Sequence, residues 1–215
     1  MNKIKKFYRV TILLLLTVLF TCLTEQISAQ NVNRHSSNNT SYSVPPTVPE
    51  MIVFAGDTIR FDRADLRERM DRELIAFSYM HTNSHLIIKR ANRLFPVIEP
   101  ILKENGIPDD LKYLMVIESN LDPKSLSSAG AAGLWQFLQA TGRSYGLEVN
   151  ANIDERYNIR KSTVAACKYL AEAYQKYGNW MTVAASYNGG QNGISRRLEE
   201  QHQTNALDLW LVEET

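Results

Sequence analysis

The sequence predicts an all-α, mainly helical domain with one short β-hairpin near its start. From residue 62 onward, apolar side chains recur at intervals of three and four residues, the period of an amphipathic helix. Residue types that start and end helices separate these segments. Residues 52–61 instead place short apolar stretches on both sides of Gly56-Asp57, a pattern that favours two strands joined by a tight turn.

The first residues are typical of an export signal. Four basic residues precede position 10, and an uncharged, mostly apolar run occupies residues 10–23. A membrane-spanning helix needs about 20 such residues, so this run is short. We therefore expect a signal peptide over residues 1–29, cleaved near Ala29, and export to the cell envelope (periplasm). Two alternatives stay open: an uncleaved membrane anchor, and lipidation at Cys22, where LFTC resembles a bacterial lipoprotein box.

Composition excludes some classes of function. Cleavage after Ala29 would leave 186 residues, enough for one domain with a sizeable core, carrying 20 basic and 22 acidic residues. A nearly neutral body without basic clusters gives no electrostatic support for nucleic-acid binding. Cys167 would be the remaining cysteine, so no internal disulfide is expected. Its small apolar neighbours favour a buried side chain over a reactive thiol.

The chain is predicted to consist of five parts. Residues 30–50 are polar and rich in proline, which is typical of a flexible linker. The parts are the signal peptide (1–29), the linker (30–50), an extension of hairpin and helices (51–107), a candidate catalytic domain (108–205) and a tail (206–215).

Capping residues predict where the helices of the extension lie. Asp62 is expected to cap a helix that runs to about residue 79, and Asn83 or Ser84 the next, to about residue 95. The following VIEPILKENG is still predicted as a helix, which Pro100 kinks and Asn105-Gly106 ends.

The catalytic part is predicted to be helical at both ends. One helix begins near Pro108, a favoured first-turn residue. Further on, Ser162 or Thr163 is expected to cap VAACKYLAEAYQKYG, which Gly178 ends. WMTVAASYN and ISRRLEEQ are the last two predicted helices, separated by Gly189-Gly190.

One carboxylate stands on an apolar helix face. On a helix from Pro108, Glu118 falls on the face that carries Leu111, Leu114 and Met115. Partial burial and the negative end of the helix dipole would both raise the pKa of Glu118, as a general acid requires. The alternative is a frayed last turn that leaves Glu118 in water. Ser119, Asn120 and Asp122-Pro123 end the helix, and SLSSAGAAG then supplies hydroxyls and a slim backbone suited to line a groove.

These residues carry a family resemblance. ESNLDPKSLSSAGAAGLWQF resembles the signature of family 1 lytic transglycosylases, the SLT-domain type with a goose-lysozyme-like fold. DER, ST, YGNW and ASYNGG follow in the family's order. The upstream IPDDLKYLMVIES is similar to the subgroup of membrane-bound lytic transglycosylase D. The resemblance covers about residues 51–205.

The resemblance implies a role for each matching residue. Glu118 matches the single catalytic acid and base, while Ser127, Gln136, Tyr187 and Asn188 match groove residues that bind sugar and N-acetyl groups. Asp154 to Arg156 are interpreted as a structural, salt-bridged brace. The implied reaction cleaves the N-acetylmuramic acid–N-acetylglucosamine bond of peptidoglycan and leaves a 1,6-anhydro end.

The resemblance also implies glycan strands of peptidoglycan as the partner, and the N-terminal segment allows membrane association. Two other functions stay open: a muramidase of the same fold, and an inactive peptidoglycan-binding envelope protein. The chain ends at WLVEET, where the subgroup continues with a further helix, so we expect a truncated protein or a more open groove.

No cofactor and no metal are expected. His81 and His85 have a spacing that can bind zinc on a helix, but the intervening Thr-Asn-Ser is expected to break that helix. No third ligand is evident. Cys167 has no histidine partner within the motifs, which disfavours a cysteine hydrolase.

Overall fold

The computed structural model describes residues 46–79 and 81–209. The predicted signal peptide, its two alternatives and most of the linker lie outside the described residues. None of the described helices is long and apolar enough to cross a membrane.

The predicted hairpin is present. Strand β1 (Met51–Phe54) pairs antiparallel with β2 (Asp57–Arg60), and Phe54 lies opposite Asp57. The turn lies one residue earlier than the predicted Gly56-Asp57: Ala55 and Gly56 form it with φ of 52° and 92°, and Asp57 begins β2. Positive φ at both turn residues matches the right-handed twist of a hairpin, which explains the glycine.

Everything after the hairpin is helical or irregular, as predicted. Short 3₁₀ turns occur at Asp109–Lys112, Glu155–Tyr157 and Ala206–Asp208. Among the described residues there are seven α-helices: α1 (Ala64–Tyr79), α2 (His81–Glu104), α3 (Tyr113–Ser119), α4 (Gln139–Ser144), α5 (Ile159–Tyr177), α6 (Trp180–Gly189) and α7 (Gln191–Glu200).

Helix α2 differs most from the prediction. It begins at His81, so the expected caps Asn83 and Ser84 lie inside the helix and that prediction is wrong. The helix also continues through both prolines, whose side chains are exposed. The apolar face of α2 is buried from Ile87 to Leu102, and this packing outweighs the hydrogen bonds that the prolines cannot donate. Helix α2 ends just before Asn105-Gly106, as predicted, and the kink at Pro100 stays a prediction.

The cap of α5 was also predicted at the wrong place. Asn158 caps the helix, because its side-chain oxygen accepts from the backbone N–H of Lys161 at 3.0 Å. Ser162 and Thr163 lie one turn further on and are buried. Asparagine caps as well as serine does, and it occurs here four residues before the predicted site. The end of α5 at Gly178, with φ of 70°, is as predicted.

Helix α5 lies at the centre of the core. Helices α2 and α6 pack against it, and α7 packs against α6. Small residues of α5 are fully buried at these contacts, among them Ala166, Cys167 and Ala173. Burial raises the pKa of the Cys167 thiol to about 12, so the cysteine is an unreactive core side chain, as its neighbours predicted.

The hairpin is attached to the rest of the domain by its turn. The backbone N–H of Ala55 donates to Oδ2 of Asp110 at 2.7 Å. Asp110 lies in the 3₁₀ turn that leads directly into α3. The extension therefore contacts the segment that carries the candidate acid.

Candidate active site

Glu118 lies in the last turn of α3. The helix expected to begin near Pro108 does so as a 3₁₀ turn and becomes α-helical at Tyr113. Leu111, Leu114 and Met115 are fully buried, whereas Glu118 is half-buried. The carboxyl group thus lies at the edge of the core rather than in open solvent. Its elevated pKa stays a prediction.

Asp122, the second acid of the signature, is occupied in a turn. Its Oδ1 accepts from the backbone N–H of Lys124 at 3.0 Å, and its Oδ2 accepts from Nη2 of Arg90 at 3.2 Å. This is the turn role that an Asp-Pro pair favours.

The Ser- and Gly-rich stretch after α3 folds into a compact loop. The backbone N–H of Ser127 donates to the main-chain oxygen of Ala131 at 2.9 Å, and the Oγ of Ser127 accepts from the N–H of Ala131 at 3.0 Å. Gln136 has φ of 50°, and its Nε2 donates to the main-chain oxygens of Gly133 at 2.8 Å and Ser125 at 3.2 Å. Both candidate groove residues therefore stabilise the loop that carries them, and both stay half-buried.

Arg156 braces this loop from inside. It is only 3% exposed and pairs with Asp154 at 2.7 Å. Its Nη1 donates to the main-chain oxygens of Gly130 at 2.7 Å and Phe137 at 2.9 Å. The hydrogen bond and charge of Arg156 lower the pKa of Asp154. The DER motif is thus a salt-bridged brace, as interpreted from the sequence.

Tyr187, near the end of α6, lies against the same loop. Its hydroxyl donates to the main-chain oxygen of Trp135 at 2.7 Å. Its ring contacts those of Trp135, Phe137 and Tyr169, with centroids 5.1–6.4 Å apart. Burial raises the pKa of Tyr187 well above its usual value, and the negative charge of Glu118 raises it further. Tyr187 and Glu118 are therefore close enough to interact electrostatically.

Asn188 is the other candidate residue on α6. It is 6% exposed, and neither its side-chain oxygen nor its nitrogen has a hydrogen-bond partner among the described residues. A buried amide left without partners costs about 1–3 kcal/mol, so such groups are uncommon in native structures.

Two residues near the site had no role in the sequence analysis. Tyr169 supports the ring of Tyr187, and its position three residues after Ala166 and four before Ala173 could have placed it on the buried face of α5. Arg90 contacts the turn after Glu118 from α2, and no local pattern marks it.

The motif aromatics Trp135 and Phe137 are both core side chains, and Nε1 of Trp135 donates to Thr163 at 3.0 Å.

The described residues hold no group of three or more side chains arranged to bind a metal. The helix break expected between His81 and His85 is not present, because α2 runs through both positions.

The domain is mainly helical and carries a half-buried acid at the end of α3, followed by a Gly-rich loop. Comparison with known families shows the class of protein to which it belongs. The model of the transglycosylase SLT domain matches residues 95–209, and the chain belongs to this family.

Three relatives give the extent of the similarity. The chain is 29% identical to membrane-bound lytic murein transglycosylase D of Escherichia coli K12 over 166 residues, 75% of this chain and 36% of that protein. It is 33% identical to peptidoglycan transglycosylase gp16 of Escherichia phage T7 over 93 residues, 42% of this chain and 7% of that protein. A putative tributyltin chloride resistance protein of Alteromonas is 26% identical over 106 residues, 49% of this chain and 51% of that protein. The chain therefore spans about a third of the length of the Escherichia coli relative.

Proposed function

We propose that the protein is a peptidoglycan lytic transglycosylase, a carbon–oxygen lyase that cleaves the bond between N-acetylmuramic acid and N-acetylglucosamine. The observation that carries the proposal is the placement of Glu118, half-buried at the end of α3, where its negative charge raises the pKa of Tyr187. The names of two relatives, a lytic murein transglycosylase and a peptidoglycan transglycosylase, support the same reaction.

The proposed reaction needs one carboxyl group. Glu118 donates its proton to the glycosidic oxygen as the bond from that oxygen to C1 of the muramyl ring breaks. The Glu118 carboxylate then takes the proton of the 6-hydroxyl of the same ring, and the oxygen of that hydroxyl forms the new bond to C1. No water is consumed, and Glu118 ends protonated as it began.

An intramolecular nucleophile explains why a second carboxylate is dispensable. Most glycosidases use two carboxyl groups, one as acid and one as nucleophile or base. Here the second acid of the signature, Asp122, accepts hydrogen bonds from Arg90 and Lys124. A 6-hydroxyl held in the same ring as C1 has a high effective molarity and replaces an external nucleophile.

We assign the N-acetyl groups of the glycan to the loop and to α6. The buried amide of Asn188, unpartnered among the described residues, has a donor and an acceptor that match an acetamido group or a ring hydroxyl. The hydroxyl oxygen of Tyr187 can still accept a hydrogen bond, because its proton is directed at Trp135. Ser127 and Gln136 lie in the loop that Tyr187 contacts, and we assign them to the same groove.

The proposed place of action is the cell envelope. The basic start and the apolar run of residues 10–23 support export to the periplasm, by cleavage near Ala29 or with the N-terminus retained as an anchor. In that compartment the protein would encounter its proposed substrate, the glycan strands of peptidoglycan.

Digestion of purified cell-wall sacculi followed by mass spectrometry tests the proposal. We expect muropeptides with 1,6-anhydro ends, each about 18 Da lighter than the hydrolysis product because no water is added. Products with only reducing muramic ends would instead identify a muramidase. Sacculus binding without any released product would identify a binding protein.

A further inference from the structure

The backbone immediately after Glu118 is strained. Asn120 and Leu121 both have positive φ, 51° and 56°. Asparagine tolerates this left-handed conformation, but for leucine it is rare and unfavourable, because the Cβ atom comes too close to the following carbonyl oxygen. Such a conformation persists when its surroundings enforce it, and strained residues cluster at functional sites.

Two contacts enforce this turn. Leu121 is fully buried, which commits its side chain to the core. Arg90 reaches the turn from α2: Nη1 donates to the main-chain oxygen of Asn120 at 2.9 Å and Nη2 to Oδ2 of Asp122 at 3.2 Å. One planar guanidinium thus holds the peptide group within the strained pair and the residue that follows the pair, a geometry that lysine cannot reproduce.

Arg90 itself is well anchored. Its neighbours Ala91 and Leu94 are buried in the contact of α2 with the rest of the core, and the side chain of Arg90 is 21% exposed. Arg90 also lies before residues 95–209, the part matched by the family model. The contact therefore comes from the part of α2 that precedes the matched residues.

We propose that Arg90 is a positioning residue for Glu118, an inference that rests on the function proposed above. The N–H groups of Asn120 and Leu121 donate to Val116 and Met115 and close the last turn of α3, which contains Glu118. Without Arg90 the strained pair relaxes, these bonds weaken and the carboxyl group moves. Catalysis responds steeply to such movement, because a displacement of about 1 Å can cost about 100-fold in rate.

The test compares Arg90→Ala and Arg90→Lys in the full chain, with Arg93→Ala as control. Arg93 lies one turn further along α2 and is exposed. The readouts are kcat and KM for release of anhydromuropeptides, the pH profile of kcat, and hydrogen exchange of the Asn120 and Leu121 amides. All are measured well below the melting temperature of each variant.

For Arg90→Ala we expect a fall in kcat of at least about tenfold with KM little changed, an altered pH profile, and faster exchange of the two amides. Arg90→Lys should recover part of the rate, and Arg93→Ala should resemble the wild type. Unchanged kcat in Arg90→Ala, or an equal loss in Arg93→Ala, would overturn the proposal. An inactive wild type would refute the proposed function but would not by itself test the role of Arg90. In that case unchanged exchange of the Asn120 and Leu121 amides in Arg90→Ala would still refute the positioning role.

Discussion

The hydroxyl of Tyr187 lies 2.7 Å from the main-chain oxygen of Trp135, and this hydrogen bond joins helix α6 to the loop that follows the candidate acid. Trp135 is in turn fixed to α5 through Thr163. Helix α6, helix α5 and the loop after the candidate acid are far apart in the sequence, and these polar bonds hold them together.

Tyr187→Phe should affect both stability and activity. It removes the donor to Trp135 and leaves a main-chain oxygen without its partner, which costs about 1–3 kcal/mol. Chemical denaturation measures this loss, and digestion of sacculi measures the accompanying fall in activity. The matched control is Tyr177→Phe, because the hydroxyl of Tyr177 also donates to a main-chain oxygen at 2.7 Å, that of Gln191. A similar loss of activity in the control would show that destabilisation, and not a role of Tyr187 in the proposed groove, lowers the activity of Tyr187→Phe.

The sequence predicted the parts of this fold that depend on local signals. The hairpin follows from the short apolar stretches on either side of its glycine, and the end of α5 from Gly178. The buried face that leads to Glu118 follows from the spacing of Leu111, Leu114 and Met115. Errors arose where packing outweighed local preference. The helices predicted before and after residue 95 form one continuous α2 that passes Pro96, because the face opposite the prolines is buried.

In the candidate site, too, the residues with a local sequence signal were predicted and those that act through long-range contacts were not. Glu118 was found because an acid broke an apolar pattern, and the other candidates came from motif resemblance. Arg90 and Tyr169 were missed because their roles arise from contacts with segments about 20 to 30 residues away. Such contacts form only when the helices pack, so neither periodicity nor capping residues reveal them.

Gly133 should tolerate no side chain. It has φ of 76°, and a Cβ atom there would lie 2.0 Å from the main-chain oxygen of Arg156. Because backbone and not a flexible side chain is in the way, Gly133→Ala must displace the loop from its brace. We expect it to lower the free energy of unfolding by more than about 3 kcal/mol, measured by urea denaturation.

Gly130→Ala is the control for this steric effect. Gly130 has a similar φ of 78° but no atom within 4 Å of the added methyl group. It should cost only the conformational penalty of about 1–2 kcal/mol. Equal destabilisation by the two variants would show that backbone conformation, and not contact with Arg156, requires the glycine at 133.

The Asp154–Arg156 brace predicts a dependence of stability on acid pH. Arg156 lowers the pKa of Asp154 in the folded protein. The pair therefore makes its full contribution to the free energy of unfolding above the pKa of an unfolded aspartate, about 4. That contribution is lost as the pH falls through the lower pKa of Asp154 in the folded protein. Asp154→Asn should be less stable than the wild type by a constant amount between about pH 5 and 8. Below about pH 4 the difference should shrink. The control is Asp71→Asn, which removes an exposed acid on α1. If the difference in free energy of unfolding between Asp154→Asn and the wild type stayed constant down to about pH 2, the role of the charge would be contradicted.

Glu118→Gln should separate catalysis from binding. Glutamine keeps the shape and hydrogen-bonding capacity of the side chain but cannot deliver a proton. General acid–base catalysis is worth about 10²–10⁴-fold, so we expect anhydromuropeptide release to fall by at least that factor while sacculus binding stays near the wild-type level. The free energy of unfolding should stay level or rise, because a half-buried acid is replaced by a neutral group. Glu104→Gln is the matched control, since Glu104 also ends a helix but is exposed. If Glu118→Gln kept activity comparable to this control, a different residue would be the catalyst.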